Sequence, residues 1–293
     1  MPALMIPGKR RTHMLIFLIC LVLAVLLAAF CYCQNNLLTV TSIPINRGLE
    51  NPIRIVHLSD LHGKDFGKDN QRLMELVERL SPDMVVFTGD LINDDRDDLD
   101  TYTGLLGRMQ QRWPVYYVPG NHEHRYHLAE QTVKRLRDLG VTVPINEIVS
   151  AEIQGNPVYL LGLDENQGSY QAYKAIRKGE YEYQDNRALL EQLEQKPGLR
   201  LVLSHYPENF ALIGEKSYNQ FDFDLMMSGH AHGGQFIFPF FGGVYSPGPG
   251  IRPKYSAGLY GDHPQLVVSR GLGNSSFPLR LFNLPDVVCI DIR

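Results

Sequence analysis

Short polar clusters recur along the chain, and their residue types are those that bind divalent metal ions. The clusters are Asp60-Leu61-His62, Gly89-Asp90, Gly120-Asn121-His122-Glu123, Ser204-His205 and Gly229-His230-Ala231-His232. Five of the ten histidines of the chain lie in them, which is improbable for unrelated loop residues. Imidazole and oxygen donors without a thiolate suit borderline divalent ions such as Mn, Fe or Zn.

The number of donors in these clusters predicts two ions rather than one. Seven ligands exceed what one tetrahedral ion takes, whereas two adjacent ions that share a carboxylate would use them all. Two such ions bind the attacking and leaving oxygens of a phosphoryl group and lower the pKa of a bridging water, so hydroxide is the nucleophile. The sequence has no Gly-rich nucleotide loop and no Lys-bearing phosphate motif, which favours phosphate hydrolysis over transfer between nucleotides.

Each cluster follows a short apolar run that is typical of a buried strand. The runs cover residues 53–58, 84–87, 115–118, 201–203 and 225–227. Because the carboxyl ends of strands form the ligand crevice of an open α/β sheet, we expect the clusters to converge in space. Helical periodicity alternates with these runs, over residues 69–80, 101–111 and 128–139. The alternation predicts an α/β fold, and further strands in the C-terminal half predict a second sheet within one domain, residues 51–293.

An uncharged, strongly apolar stretch covers residues 14–33 near the N-terminus. Twenty residues span roughly the 30 Å hydrocarbon core of a bilayer, so we interpret the stretch as a transmembrane signal-anchor helix. Lys9, Arg10 and Arg11 precede it, which predicts a cytoplasmic segment 1–13 and an extracytoplasmic catalytic part at the plasma membrane. A cleaved signal peptide and a twin-arginine signal are the alternatives. Residues 34–50 are predicted to be a tether.

The charge of the chain argues against a nucleic-acid partner. The net charge is −4 and the pI is about 6.2. Residues 34–293 keep 25 basic and 32 acidic residues, a net of −7, so no basic surface is available to neutralise phosphates. Three of the four cysteines lie in or beside the apolar stretch, and the one remaining thiol, Cys289, cannot staple the domain.

The order of the five clusters resembles that of the calcineurin-like metallophosphoesterases. The segments 229–235 and 269–273 are similar to the membrane-anchored or exported bacterial branch that includes the YkuE and YaeI proteins. The resemblance implies a four-layer α/β/β/α sandwich with a dinuclear centre. It implies that Asp60, His62 and His232 bind one metal, that Asn121, His205 and His230 bind the other, and that Asp90 bridges the two. It also implies that His122 contacts the phosphoryl group or protonates the leaving oxygen.

The leading hypothesis is therefore a metal-dependent hydrolase of a phosphodiester, monoester or pyrophosphate. Two alternatives remain open at this point: a non-catalytic, membrane-tethered metal-binding or sensor domain, and a cytosol-facing pyrophosphatase of nucleotide-linked lipids. The natural substrate, the physiological metal and the oligomeric state are not determined by the sequence.

An aromatic segment follows the last cluster, with five apolar side chains at Phe236, Ile237, Phe238, Phe240 and Phe241. A buried strand explains part of this pattern, but neighbouring side chains of a strand point to opposite faces and Pro239 disrupts a central strand. The alternative is that some of the rings are exposed at the mouth of the site. On a membrane-tethered protein, such rings would enter the bilayer interface and admit a lipid or lipid-linked phosphate headgroup.

Overall fold

Two β-sheets and the helices on their outer faces position every predicted cluster. The computed structural model describes residues 7–238, 240–246, 250–274 and 277–293. The first sheet contains β1 (Thr39–Ile45), β2 (Ile53–Leu58), β3 (Met84–Thr88), β4 (Val115–Val118) and β15 (Asp286–Ile292), in the order β1-β15-β2-β3-β4. The strands β2, β3 and β4 are parallel, so the clusters after them meet at one sheet edge.

The second sheet brings the remaining clusters to the same region. It contains β5 (Glu147–Ile153), β6 (Asn156–Gly162), β7 (Leu199–Leu203), β8 (Leu225–Ser228), β13 (Gly258–Tyr260) and β14 (Gln265–Val268), in the order β13-β14-β8-β7-β6-β5. Its four central strands are parallel, and β5 and β13 are antiparallel at the edges. Two small hairpins lie between β8 and β13: β9 (Ile237–Phe238) with β10 (Gly242–Gly243), and β11 (Tyr245–Ser246) with β12 (Gly250–Ile251).

The seven helices of the described residues are distributed at the N-terminus and over the two outer faces. They are α1 (Pro7–Asn36), α2 (Gln71–Leu80), α3 (Leu99–Gln110), α4 (Asn121–Arg125), α5 (Ala129–Asp138), α6 (Tyr170–Lys178) and α7 (Arg187–Glu194). The pattern of α3 and α5 predicts their positions to within two residues. The predicted N-cap of α2 at Asp69 is wrong, because Asp69 belongs to a short 3-10 turn and Asn70 precedes the helix in a left-handed conformation.

Three apolar cores show that the molecule has four layers. One core lies between the first sheet and helices α2, α3 and α5, with Leu73, Leu106 and Leu136 fully buried. The middle core joins the inner faces of both sheets, for example Ile55 of β2 with Leu201 of β7. The third core packs the second sheet against α7 and the adjacent loops. The predicted α/β/β/α sandwich is therefore confirmed.

The N-terminal apolar stretch forms one helix, which is longer than predicted. Arg11–Asn36 is long and apolar enough to cross a membrane, and no part of its most apolar window is buried in the protein. Residues 1–6 of the predicted cytoplasmic segment, and Pro239 of the aromatic segment, lie outside the described residues.

The predicted tether over residues 34–50 is wrong in its central part, because Thr39–Ile45 forms the edge strand β1. It pairs in parallel with β15, from Thr39 opposite Asp286 to Ile45 opposite Ile292. Ile43 and Ile45 are buried, one on each side of an exposed Pro44, and a proline is tolerated because an edge strand leaves one side without hydrogen-bonded neighbours. The helix is thus attached to the sheet by a strand rather than by a flexible chain.

Candidate metal centre

The structure brings all seven predicted ligands together between the carboxyl ends of the two sheets. Six of these side chains fall into two groups, within each of which the donor atoms lie within 4.8 Å of one another: Asp60, His62, Asp90 and His232 in the first, and Asp90, His205 and His230 in the second. The seventh, Asn121, contacts His205 and His230 of the second group. All of these residues are buried. The two groups share Asp90, so its carboxylate lies between them.

Donor distances in the first group fit the coordination shell of one metal ion. His62 Nε2 lies 2.9 Å from His232 Nε2 and 3.5 Å from Asp90 Oδ2, and His232 Nε2 lies 3.6 Å from Asp60 Oδ1. Ligands that are bonded at about 2.1 Å to one ion lie about 3.0–3.5 Å from each other in octahedral or tetrahedral geometry. The residues therefore fit a first divalent ion.

Donor distances in the second group fit an ion equally well. Asn121 Oδ1 lies 2.7 Å from His230 Nδ1 and 3.1 Å from His205 Nε2, which is itself 3.5 Å from Asp90 Oδ2. Nδ1 of His205 donates to the carbonyl oxygen of Thr88 at 2.7 Å, so its Nε2 is the ring atom that presents a lone pair. Such a bond to a backbone carbonyl orients a metal-binding imidazole.

Burial and charge in the centre also suit cations. Burial lowers the pKa of His230 to about 3, and it lowers the pKa values of His62 and His232 well below the usual value, so these rings are neutral donors. Burial raises the pKa of Asp60 to about 7. Burial also lowers the pKa of His205, but the carboxylates of Asp90 and Asp60 outweigh it and raise this pKa to about 10, so a bound metal ion would displace a proton from Nε2. Bound divalent ions would neutralise the negative charge of these buried carboxylates.

Five of the seven predicted ligands have a left-handed backbone conformation. Their φ angles lie between 48° and 65°, and the residues are Asp60, His62, Asp90, His230 and His232. A non-glycine residue rarely adopts such angles, and the cost is of order 1–3 kcal/mol for each. Strain of this kind clusters at functional sites, where the surrounding structure must hold it in place. The ligand loops are therefore built for side-chain placement rather than for local backbone stability.

The predicted catalytic residue His122 lies against the shared carboxylate. Its backbone N–H donates to Asp90 Oδ1 at 2.8 Å, and its ring centroid lies 4.4 Å from that of His62. Its Nδ1 contacts the carbonyl oxygen of Asn93. A carbonyl can only accept, so Nδ1 carries the hydrogen, and Nε2 is the atom that would exchange a proton with a bound phosphoester.

The sequence match to known families agrees with this geometry. A family model described as calcineurin-like phosphoesterase matches residues 53–234, a range that contains all seven predicted ligands. The chain belongs to this family. The resemblance drawn from the five clusters is thereby confirmed.

Relatives of this phosphoesterase are found in bacteria and vertebrates. It is 30% identical over 84% of its length to the uncharacterized metallophosphoesterase Cj0846 of Campylobacter jejuni, of which the match covers 60%. It is 26% identical over 87% of its length to the uncharacterized metallophosphoesterase YkuE of Bacillus subtilis, of which the match covers 84%. It is 27% identical over 86% of its length to a transmembrane protein with metallophosphoesterase domain of Danio rerio, of which the match covers 56%.

Three residues of the phosphoesterase around the centre lie outside the predicted ligand set. Arg280 is fully buried, donates to the carbonyl oxygens of Gly273 and Arg270, and places Nη2 3.3 Å from His232 Nδ1. No local pattern marks it. The carboxylate of Glu123 accepts hydrogen bonds from four backbone N–H groups. One of them belongs to Gly120, three residues earlier, and a glutamate at this distance from the residue that precedes a helix is a known capping pattern.

Glu208 is the third of these residues, and it lines a cavity of about 170 Å³ beside the second group of ligands. Its Oε1 lies 3.9 Å from His230 Nε2, and burial raises its pKa to about 7. The cavity is mainly apolar, with Tyr173, Tyr183 and Tyr206 in its wall. It offers space for part of a substrate next to the metal centre.

Proposed function

We propose that the protein hydrolyses phosphoester bonds at a centre of two divalent metal ions. The observation that carries this proposal is the position of Asp90, whose Oδ2 lies 3.5 Å from both His62 Nε2 and His205 Nε2. Asp60, His62 and His232 would hold one ion, Asn121, His205 and His230 the other, and Asp90 both. Bound ions of this kind neutralise phosphoryl charge and make water acidic enough to react near neutral pH.

The reaction consumes one water molecule for each ester bond. The water oxygen forms a bond to phosphorus, the bond from phosphorus to the leaving oxygen breaks, and that oxygen takes a proton. His122 is placed to hold or supply this proton at Nε2, since Asn93 occupies its Nδ1. The position of His122 against Asp90 and the cavity beside His230 favour catalysis over the alternative of a purely structural metal site, because a structural site needs neither of them.

The first experiment measures hydrolysis of a bis-aryl phosphodiester by the full chain, with and without Mn²⁺, together with the bound metal. We expect turnover that depends on metal and about two ions per chain. Asp90→Asn should lose both metal and at least about 1000-fold in turnover, which corresponds to about 4 kcal/mol in the barrier. A variant that keeps two ions and near-normal turnover would contradict the shared-carboxylate centre.

The same proposal places the catalytic domain on the outer side of the plasma membrane. The support is the basic Lys9, Arg10 and Arg11 before the apolar helix, which favour a cytoplasmic N-terminus. Protease added to intact spheroplasts should remove a C-terminal epitope tag. A tag that is cleaved only after lysis would place the domain in the cytosol, as the nucleotide-lipid alternative requires.

A further inference from the structure

Four phenylalanine rings form an exposed surface beside the metal centre, which we call the aromatic surface: Phe238, Phe240, Phe241 and Phe282. Phe240 is fully exposed, and the other three expose between 43% and 66% of their surface. Three of them lie in the hairpin of β9 and β10, which begins five residues after the predicted ligand His232. Scattered exposed rings are common, but three exposed rings on one short hairpin, with a fourth packed against Phe238, mark an interaction surface.

The aromatic surface is continuous with the apolar helix α1. The ring centroid of Phe30 in α1 lies 5.8 Å from that of Phe282, which lies 6.3 Å from that of Phe238. Phe30 is three residues from the end of the predicted span, so it lies close to one boundary of the hydrocarbon core. Phe282, which contacts Phe30, and Phe238, which contacts Phe282, therefore lie near the same membrane boundary. Aromatic and amphipathic groups enter the bilayer interface at this boundary.

Loops of the metal centre hold the end of α1 in place. Asn35 Oδ1 accepts from Asn274 Nδ2 at 3.0 Å and from the backbone N–H of Arg280 at 3.1 Å. The carbonyl oxygen of Asn35 accepts from Lys64, which follows the predicted ligand His62 by two residues. These bonds, together with strand β1, prevent the catalytic domain from swinging freely away from the membrane.

A basic side chain flanks the aromatic surface. The guanidinium carbon of Arg252 lies 5.8 Å from the ring centroid of Phe241. An arginine beside rings at this level suits the anionic headgroups of a bilayer, which attract basic residues near the surface. The contact of Phe282 with Phe30 of the apolar helix therefore favours a lipid surface as the occupant over a second copy of this chain.

We propose that the aromatic surface is inserted in the bilayer interface and presents the metal centre to phosphoesters carried by membrane lipids. This inference rests on the proposed function and adds the class of substrate to it. The reaction is the same hydrolysis, with the lipid phosphate as the group attacked by water. The helix α1 alone would keep the protein on the membrane. The aromatic surface therefore serves to orient the metal centre toward the lipids rather than to bring the protein to the membrane.

Insertion is tested without any activity measurement. The chain has a single tryptophan, Trp113, so Trp113→Phe provides a background for Phe240→Trp. The full chain is reconstituted in phosphatidylcholine vesicles with brominated acyl chains. We expect the fluorescence of Phe240→Trp to be quenched, and that of the control Tyr170→Trp, at an exposed position on α6, to be unaffected. An unquenched Phe240→Trp would overturn the proposal.

The substrate class is tested with Phe240→Ser/Phe241→Ser and the control Tyr170→Ser in vesicles that contain phosphatidic acid, a monoester, or phosphatidylglycerol, a diester. We expect the double variant to lose at least about 10-fold in the rate of lipid hydrolysis and to keep the turnover of a soluble bis-aryl phosphodiester within about twofold. We expect the control to leave both rates unchanged. Equal changes on both substrates, or no change, would overturn the proposal. So would a wild-type chain that cleaves only the soluble diester, whereas a metal-loaded chain that cleaves neither would refute the proposed function itself.

Discussion

The carboxylate of Glu123 accepts a hydrogen bond from the backbone N–H of Asp90 at 3.0 Å. It also accepts from Gly120 at 2.7 Å, from Leu91 at 2.8 Å and from Ile92 at 3.2 Å. The buried side chain of Glu123 therefore joins the loop after β3, which carries Asp90, to the start of α4, which carries Asn121. Glu123 is a positioning residue, since it acts on the centre through the backbone of the shared carboxylate.

Glu123→Ala should lower both metal content and stability, because four buried N–H groups lose their acceptor. Charge-assisted hydrogen bonds contribute about 1.5–3 kcal/mol each, so the free energy of unfolding should fall by at least about 3 kcal/mol. Glu123→Gln, which keeps one acceptor oxygen, should lose less. Glu130→Ala, an exposed carboxylate in α5, is the matched control. Metal analysis and thermal unfolding measure the effect, and an Ala variant with normal values of both would contradict the role.

His122→Ala should separate catalysis from metal binding. We expect the variant to keep its metal ions and to lose about 100-fold or more in kcat, because the proposed role of the His122 ring is to act on the phosphoryl group or the leaving oxygen. The loss should be smaller for a substrate whose leaving group is a weak base, such as a nitrophenol, than for an alkyl phosphoester. Metal loss as severe as in Asp90→Asn would instead make His122 a ligand.

Gly229→Ala should disrupt the centre by steric contact. A Cβ at Gly229 would overlap Ser59 Oγ and would lie 2.5 Å from Asp60 Oδ2, so Ser59 and the predicted ligand Asp60 have to move. We expect metal content and turnover to fall sharply. Gly104→Ala is the control, since its Cβ would meet only Arg108 Nη1 at 3.8 Å and alanine is favoured in the helix interior by up to about 1 kcal/mol. Similar behaviour of the two variants would contradict the steric explanation.

Glu165 should make stability depend on pH. The side chain is buried and accepts hydrogen bonds from Ser204, Asn209 and Tyr218, each at 2.8 Å. Burial raises its pKa from 4.5 to about 7. Because the folded-state pKa is the higher one, the stabilisation from proton uptake is complete below pH 4.5 and is lost as the pH rises to about 7.

The test of this pH dependence compares wild type with Glu165→Gln, which cannot ionise. The difference in unfolding free energy, wild type minus variant, should fall by about 3 kcal/mol between pH 4.5 and pH 8. Thermal unfolding of the full chain at several pH values measures it, and the other titrating groups cancel in the comparison. A difference that stays constant with pH would show that Glu165 keeps one protonation state.

The sequence by itself determined which Asp and His residues form a cluster that could hold metal ions. Each predicted ligand directly follows an apolar run, and parallel strands must align their carboxyl ends, so residues as distant as Asp60 and His232 were expected to meet. The donor types then indicated divalent ions. The helix at residues 14–33 was equally clear, because a long uncharged apolar stretch is a local property. These features need no knowledge of which strands are neighbours.

Only the tertiary structure decided how the ends of the chain close the fold. Strand β1 forms because it pairs with the edge of β15, more than 240 residues later in the chain. Its seven residues mix polar and apolar types, and nothing in their pattern indicates this partner. The same holds for Arg280 beside His232 and for Phe282 beside Phe30. Pairing, burial of charge and the level of a ring relative to a membrane helix depend on contacts between distant segments, and local sequence patterns do not specify those contacts.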